Sequence, residues 1–101
     1  MTKSNIQTAL YAAINIVQEL NGENEIRPTG DLIPRYSLKN FDSLCEINVI
    51  TELEELLHVE IKDNELFTDT EHQPIPLNAV VDKLFLIYNN KENVNGEIKG
   101  K

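Results

Sequence analysis

The chain has 101 residues, which suits one domain and one modest core, since a chain of this size buries roughly 60–70% of its unfolded surface. Seventeen Asp and Glu against nine Lys and Arg leave a net charge of −8 and a pI near 4.6. That balance argues against nucleic-acid binding, which needs a basic surface, disfavours adsorption to anionic membranes and favours docking onto basic patches of protein partners. A single cysteine, Cys45, excludes an intramolecular disulfide and argues against a cysteine-built zinc site. There is no run of about 18 apolar residues to cross a membrane. Met1-Thr2-Lys3-Ser4-Asn5 leads into an amphipathic segment without the apolar stretch of a secretory signal, so the expected compartment is the cytoplasm. Tryptophan is absent and aromatics make up 6%, so the core should be mostly Leu, Ile and Val.

Spacing predicts a first helix over residues 5–20, with Ile6, Leu10, Ala13, Ile14, Val17 and Leu20 on one face. Ser4 with Gln7 has capping-box form at its start, and Asn21-Gly22 supplies a left-handed stop. Residues 23–40 show no sustained period and are broken by Pro28, Gly30 and Pro34. Leu32, Ile33, Tyr36 and Leu38 make an ordered loop packed over the core a better reading than a free linker. A second helix is expected over 43–58, with Leu44, Ile47, Ile50, Leu53, Leu56 and Leu57 as its apolar face and Glu46, Asn48, Glu52, Glu54 and Glu55 on the others. Asp63-Asn64-Glu65-Leu66-Phe67 reads as one turn of a short third helix, with Leu66 or Phe67 plugging the core. The last helix should begin around Pro76. Leu77, Val80, Val81, Leu84 and Ile87 face inward there, with Phe85 and Tyr88 to one side. Residues 89–101 read as a disordered tail. The expected fold is all-α: a small four-helix bundle of three longer helices and one short, occupying residues 1–88, with a long loop between helices one and two.

The residue that invites a functional reading is Ser43, at the expected start of the second helix. Asp42 and Ser43 are both good N-cap residues, and the plain reading is that one of them caps the helix. A phosphate ester on Ser43 would also be favoured, beside the positive end of the helix dipole and its unpaired N–H groups.

The stretch from Phe41 through Asp42-Ser43-Leu44, Leu53-Glu54-Glu55 and Val59-Glu60-Ile61 resembles the acyl carrier protein family around its phosphopantetheine attachment site. No gap is needed between Asp42 and Ile61, and a weaker likeness extends over residues 6–88. The resemblance implies a carrier that is not itself an enzyme. A phosphopantetheinyl transferase would move 4′-phosphopantetheine from coenzyme A onto the Ser43 hydroxyl, using magnesium. The arm would hold acyl or aminoacyl groups as thioesters and present them to loading and transferring enzymes. Asp42 would assist the transferase's chemistry, Leu44 would make an apolar contact beside the serine, and Glu46, Asn48 and Glu52 would meet basic partner surfaces. A monomer suits this role. The chain departs from the common pattern at Lys39-Asn40-Phe41, where the family often has glycine before the serine. It departs again at Cys45 and Asn48, where many bacterial fatty-acid carriers are acidic. Those departures imply a carrier dedicated to another pathway.

Other chemistry is less well supported by the residues. Ser43 and His58 would sit at opposite ends of one helix, ~20 Å apart, whereas a nucleophile and its base need about 3 Å. Cys45 reads as a small, partly buried side chain. Glu54 and Glu55 point in different directions and no histidine completes a metal site with Glu52 and Glu55, so a solvated face is expected. The alternative function is a small acidic helical interaction module that is never modified.

Overall fold

The computed structural model describes residues 2–62 and 65–100, with side chains through residue 90. Among them are four helices and no strand: α1 (Lys3–Leu20), α2 (Pro34–Ser37), α3 (Ser43–Leu57) and α4 (Leu77–Gly100). The all-α expectation holds. α1 packs against both α3 and α4. Its stripe of Ile6, Leu10, Ala13, Ile14 and Val17 is buried, while Leu20, expected on the same face, is 73% exposed.

α1 begins two residues earlier than its pattern suggests, because Thr2 caps it: the Thr2 hydroxyl accepts the Asn5 N–H at 3.2 Å. Ser4 therefore lies inside the first turn, and Gln7 donates to the Tyr11 hydroxyl instead of closing a capping box. At the other end Gly22 takes a left-handed conformation (φ 77°). The Gly22 N–H bonds the Glu19 carbonyl and the Glu23 N–H bonds the Gln18 carbonyl, a Schellman closure that satisfies the last carbonyls.

The long connection is stitched down, as its apolar residues suggest. The Asn15 amide donates to the Ile26 carbonyl and accepts the Ile26 N–H. The Leu32 and Gly30 carbonyls accept the N–H groups of Leu77 and Asn78, donors otherwise orphaned in the first turn of α4. The short helix falls in this connection, where Pro34 presets the first helical residue of α2. It is not at 63–67. Residues 63 and 64 lie outside the described residues, and Glu65-Leu66-Phe67 form a turn. That turn is closed by the Lys83 ammonium, which donates to the Glu65 and Thr68 carbonyls, and by a lone bridge between Thr68 and Pro74. Leu66 and Phe67 still plug the core.

α4 buries Leu77, Val80, Val81 and Leu84 and packs Phe85, Ile87 and Tyr88 against the core edge. It does not stop near Tyr88: its backbone continues to Gly100, over most of the stretch read as a disordered tail. No proline follows Pro76, and each added residue of a formed helix gains a hydrogen bond. Residue 101 lies outside the described residues.

α2 is fastened to α3 by an ion pair. Arg35 Nε and Nη2 donate to the two Glu46 carboxylate oxygens at 2.6 and 2.8 Å. The Glu46 side chain is only 6% exposed and that of Arg35 37%. Removing the cation leaves a buried carboxylate unpaired. Arg35→Ala should therefore cost about 3 kcal/mol in urea unfolding, the low end for a buried pair because Arg35 is half in water. Replacing both residues with apolar ones, R35M with E46L, should recover most of that loss. An unchanged midpoint for Arg35→Ala would show that the pair does not hold α2.

Candidate functional site

The site is built by alternation of anchored and free residues around the start of α3. Phe41 is buried and meets the Phe67 ring edge-on, with centroids 5.9 Å apart and planes at 70°. Just before it, Asn40 adopts a left-handed conformation (φ 60°) that asparagine tolerates better than most side chains. Asp42 is extended and is the N-cap: its carboxylate accepts the Cys45 N–H at 3.0 Å. Capping is thus taken care of by Asp42. Ser43 is the first residue of α3, exposed, and its hydroxyl makes no hydrogen bond among the described residues. Leu44 follows at 63% exposure, and Cys45 turns back into the core. The Cys45 thiol accepts from the Asn21 amide at 3.1 Å and donates to the Asn40 carbonyl at 3.4 Å. It ties the end of α1 to the start of α3 and is not presented at the surface.

The hydrogen bond from the Cys45 backbone N–H holds the Asp42 carboxyl below its ordinary value, outweighing the slight desolvation that acts the other way. The Glu46 carboxylate, by its hydrogen bond first, raises the Arg35 guanidinium above its ordinary value.

α3 is rotated relative to the expected face, which corrects two assignments. Cys45, Glu46, Val49, Ile50, Leu53 and Leu57 are its buried residues. Leu44, Ile47 and Leu56, expected in the core stripe, are 63%, 53% and 43% exposed. Glu46, expected to meet a partner, is instead buried with Arg35, because it falls on the same helical side as Val49, Ile50 and Leu53. Of the three recognition residues read from sequence, Asn48 is exposed and Glu52 half-buried. Leu44, Ile47, Asn48, Thr51 and Glu55 form the outward face that runs on from Ser43. Glu54 and Glu55 point apart as expected: Glu54 accepts the Ile61 N–H at 2.8 Å, and Glu55 is exposed.

Arg35 and Ile47 were not legible as site residues. The only hint of Arg35 was its place after Pro34, in a loop that has to pack on something. His58 closes α3 in a left-handed conformation (φ 53°), ~22 Å along the helix from Ser43. His72 pairs with Glu65 at 2.9 Å on the surface. Among the described residues no group of three or more His, Cys, Asp or Glu side chains could hold a metal ion, and no helix is long and apolar enough to cross a membrane. Two open depressions lie elsewhere, one between Lys3, Gln7, Asn78 and Asp82 and one beside Asn15, Glu19, Glu23 and Glu25.

Compared with known proteins, the chain matches no family model, no curated protein and no solved structure.

The Asp42 cap gives a pH-dependent component of stability with a defined sign. Its carboxyl is lowered in the folded state, so its contribution is present above the ordinary value of 3.8 and is lost as the pH falls through the lowered one. Asp42→Asn keeps a cap but removes the titration. Melting temperatures of the two proteins should differ by a constant amount from pH 5 to 7 and converge below about pH 4. A difference that stays constant down to pH 2 would remove Asp42 as the source.

Proposed function

We propose that the protein is a carrier, whose Ser43 hydroxyl bears a 4′-phosphopantetheine arm installed by a phosphopantetheinyl transferase. The observation that carries this reading is the division between Asp42 and Ser43. Asp42 accepts the capping hydrogen bond, and the Ser43 hydroxyl beside it is exposed and uncommitted. A serine at this place that served only as a cap would be engaged with the backbone. A phosphodiester on Ser43 fits the site: it would sit at the N-terminal end of a 15-residue helix, next to its positive dipole end. When bound, the arm supplies a terminal thiol that holds acyl or aminoacyl groups as thioesters.

The chain's own residues do the rest. Phe41 and Cys45, buried on either side, hold the serine in a fixed position, and Leu44 stands exposed next to it as an apolar contact for a partner. Asn40 also supports the reading. The position three residues before the serine is left-handed here, which is a conformational reason for the glycine the carrier family often has before its serine and for asparagine as a substitute. Docking contacts of this kind are expected to be weak and fast, in keeping with a small monomeric four-helix bundle in the cytoplasm that hands cargo between enzymes.

Incubation with coenzyme A, magnesium and a broad-specificity phosphopantetheinyl transferase should add the mass of one phosphopantetheine, mapped to Ser43 in the intact-mass and peptide spectra. Ser43→Ala should abolish the gain while changing stability by no more than about 0.5 kcal/mol, as for an exposed side chain with no structural bond. An alanine variant that still accepts the arm would reject the site. A folded wild type refused by both broad and dedicated transferases would leave an unmodified interaction module, which the exposed Leu44 and Ile47 would also suit.

A further inference from the structure

Cys45 bonds twice to the stretch that leads into Ser43. Its backbone N–H donates to the Asp42 carboxylate at 3.0 Å, and its thiol donates to the Asn40 carbonyl at 3.4 Å. The thiol in turn accepts from the Asn21 side-chain amide at 3.1 Å. A thiol is a weak donor and a weak acceptor, so the stronger group beside it sets its orientation. With an Asn21 N–H aimed at the sulfur, the thiol hydrogen is left for the Asn40 carbonyl, and bonds in such a relay polarise one another. Asn21 can offer that N–H steadily because its own backbone is fixed. It is the C-cap of α1, its backbone N–H bonds the Val17 and Gln18 carbonyls, and left-handed Gly22 follows it. At the far end of the relay stands a residue that needs holding. Asn40 has φ 60°, a conformation that costs any residue with a side chain more than glycine. Its turn sets the direction in which extended Asp42 arrives to cap α3. Relaxing Asn40 to negative φ would redirect residues 41 and 42 and loosen the first turn, of which Ser43 is the first residue.

We propose that Asn21, at the end of α1, is a positioning residue for the loading of Ser43. Through the Cys45 thiol its amide holds the Asn40 carbonyl, and with it the left-handed turn that delivers Asp42 and Ser43 to the start of α3. Loading forms a bond from the Ser43 oxygen to the phosphorus that carries pantetheine. It breaks the pyrophosphate link of coenzyme A, so that adenosine bisphosphate leaves, and the hydroxyl proton passes to a base of the transferase. An attack of this kind depends on where the oxygen lies, and misplacement by ~1 Å costs rate. Asn21 changes no exposed side chain of α3, so its effect falls on the chemical step and not on docking. This inference rests on the carrier reading and extends it to the residues that orient the serine.

The test uses the whole chain and steady-state loading from coenzyme A by a broad-specificity phosphopantetheinyl transferase, well below the melting temperature. Asn21→Ala should lower kcat about threefold or more and leave KM for the protein within about twofold. Cys45→Ala should do the same, and Cys45→Ser, whose hydroxyl both accepts and donates, should restore most of kcat. Asn40→Gly takes positive φ without cost, so in that background Asn21→Ala should change kcat by less than about 1.5-fold. Amide exchange at Cys45 and Glu46, whose N–H groups bond Asp42, should quicken severalfold in N21A and return towards the wild-type rate in N21A with N40G. A merely structural Asn21 would lower the melting temperature and leave kcat of the folded protein unchanged. That result, or effects of N21A and N40G that simply multiply, would overturn the positioning role while leaving the carrier reading intact. A wild type that is never loaded would remove both.

Discussion

The Glu46 carboxylate, buried on the inner side of α3, is the constraint from which the arrangement around Ser43 follows. A carboxylate at 6% exposure needs a cation with good geometry, and Arg35 supplies it in the two-pronged form that suits a guanidinium. Because Arg35 comes from the connection between α1 and α3, satisfying Glu46 also pins that connection. Because Glu46 must face Arg35, the rotation of α3 about its axis is set. Ser43, Leu44 and Ile47 are left outside as a consequence. A buried ion pair adds little net stability over an apolar pair of the same volume. What it does here is join α2 to α3, on the same side of α3 that buries Cys45, Val49, Leu53 and Leu57.

Residues 44–57 hold apolar side chains on more than one side: Leu44, Ile47 and Leu56 on one, Val49, Leu53 and Leu57 on the other. Fully burying any one of them is worth ~2 kcal/mol, so exchanging one set for the other changes the total little. The stripe read from spacing was right at Ile50, Leu53 and Leu57, which are buried, and wrong at Leu44, Ile47 and Leu56, whose places in the core are taken by Cys45, Glu46 and Val49. Helix existence was legible, since every long segment read as helical is one, and the ordered loop was legible from its stranded apolar residues. Rotation, the short helix at Pro34 and the extension of α4 were not, because they depend on an ion pair between residues eleven apart, on a proline at a helix start and on continuation of a helix already nucleated. Asp42-Ser43 was legible as a cap and a candidate site, but which of the two caps could not be told from sequence. Both residue types do so equally well, and only the hydrogen bond to Cys45 distinguishes them.

The same economy governs the stretch 40–45. Asn40 turns the chain, Phe41 anchors it against Phe67, Asp42 caps, and Cys45 locks the first turn to the end of α1. Each structural task is met by a different residue, and Ser43 and Leu44 are the two left without one. That is the form expected of a surface kept free for encounter: the neighbours are over-determined so that the free residues are presented in one geometry.

Charge and contact then act on different length scales. A net charge of −8 attracts a basic surface before contact, but at physiological ionic strength fields fade over ~8 Å. Asp42 and Glu55, some thirteen residues apart along the helix and so ~20 Å from one another, are screened from each other and act as separate charges. Between them Leu44, Ile47, Asn48 and Thr51 make the outward face of α3 uncharged apart from the half-buried Glu52, and Glu46 is turned inward to Arg35. Burying Glu46 therefore does two things at once. It holds α2 against α3, and it leaves no exposed carboxylate between Leu44 and Ile47.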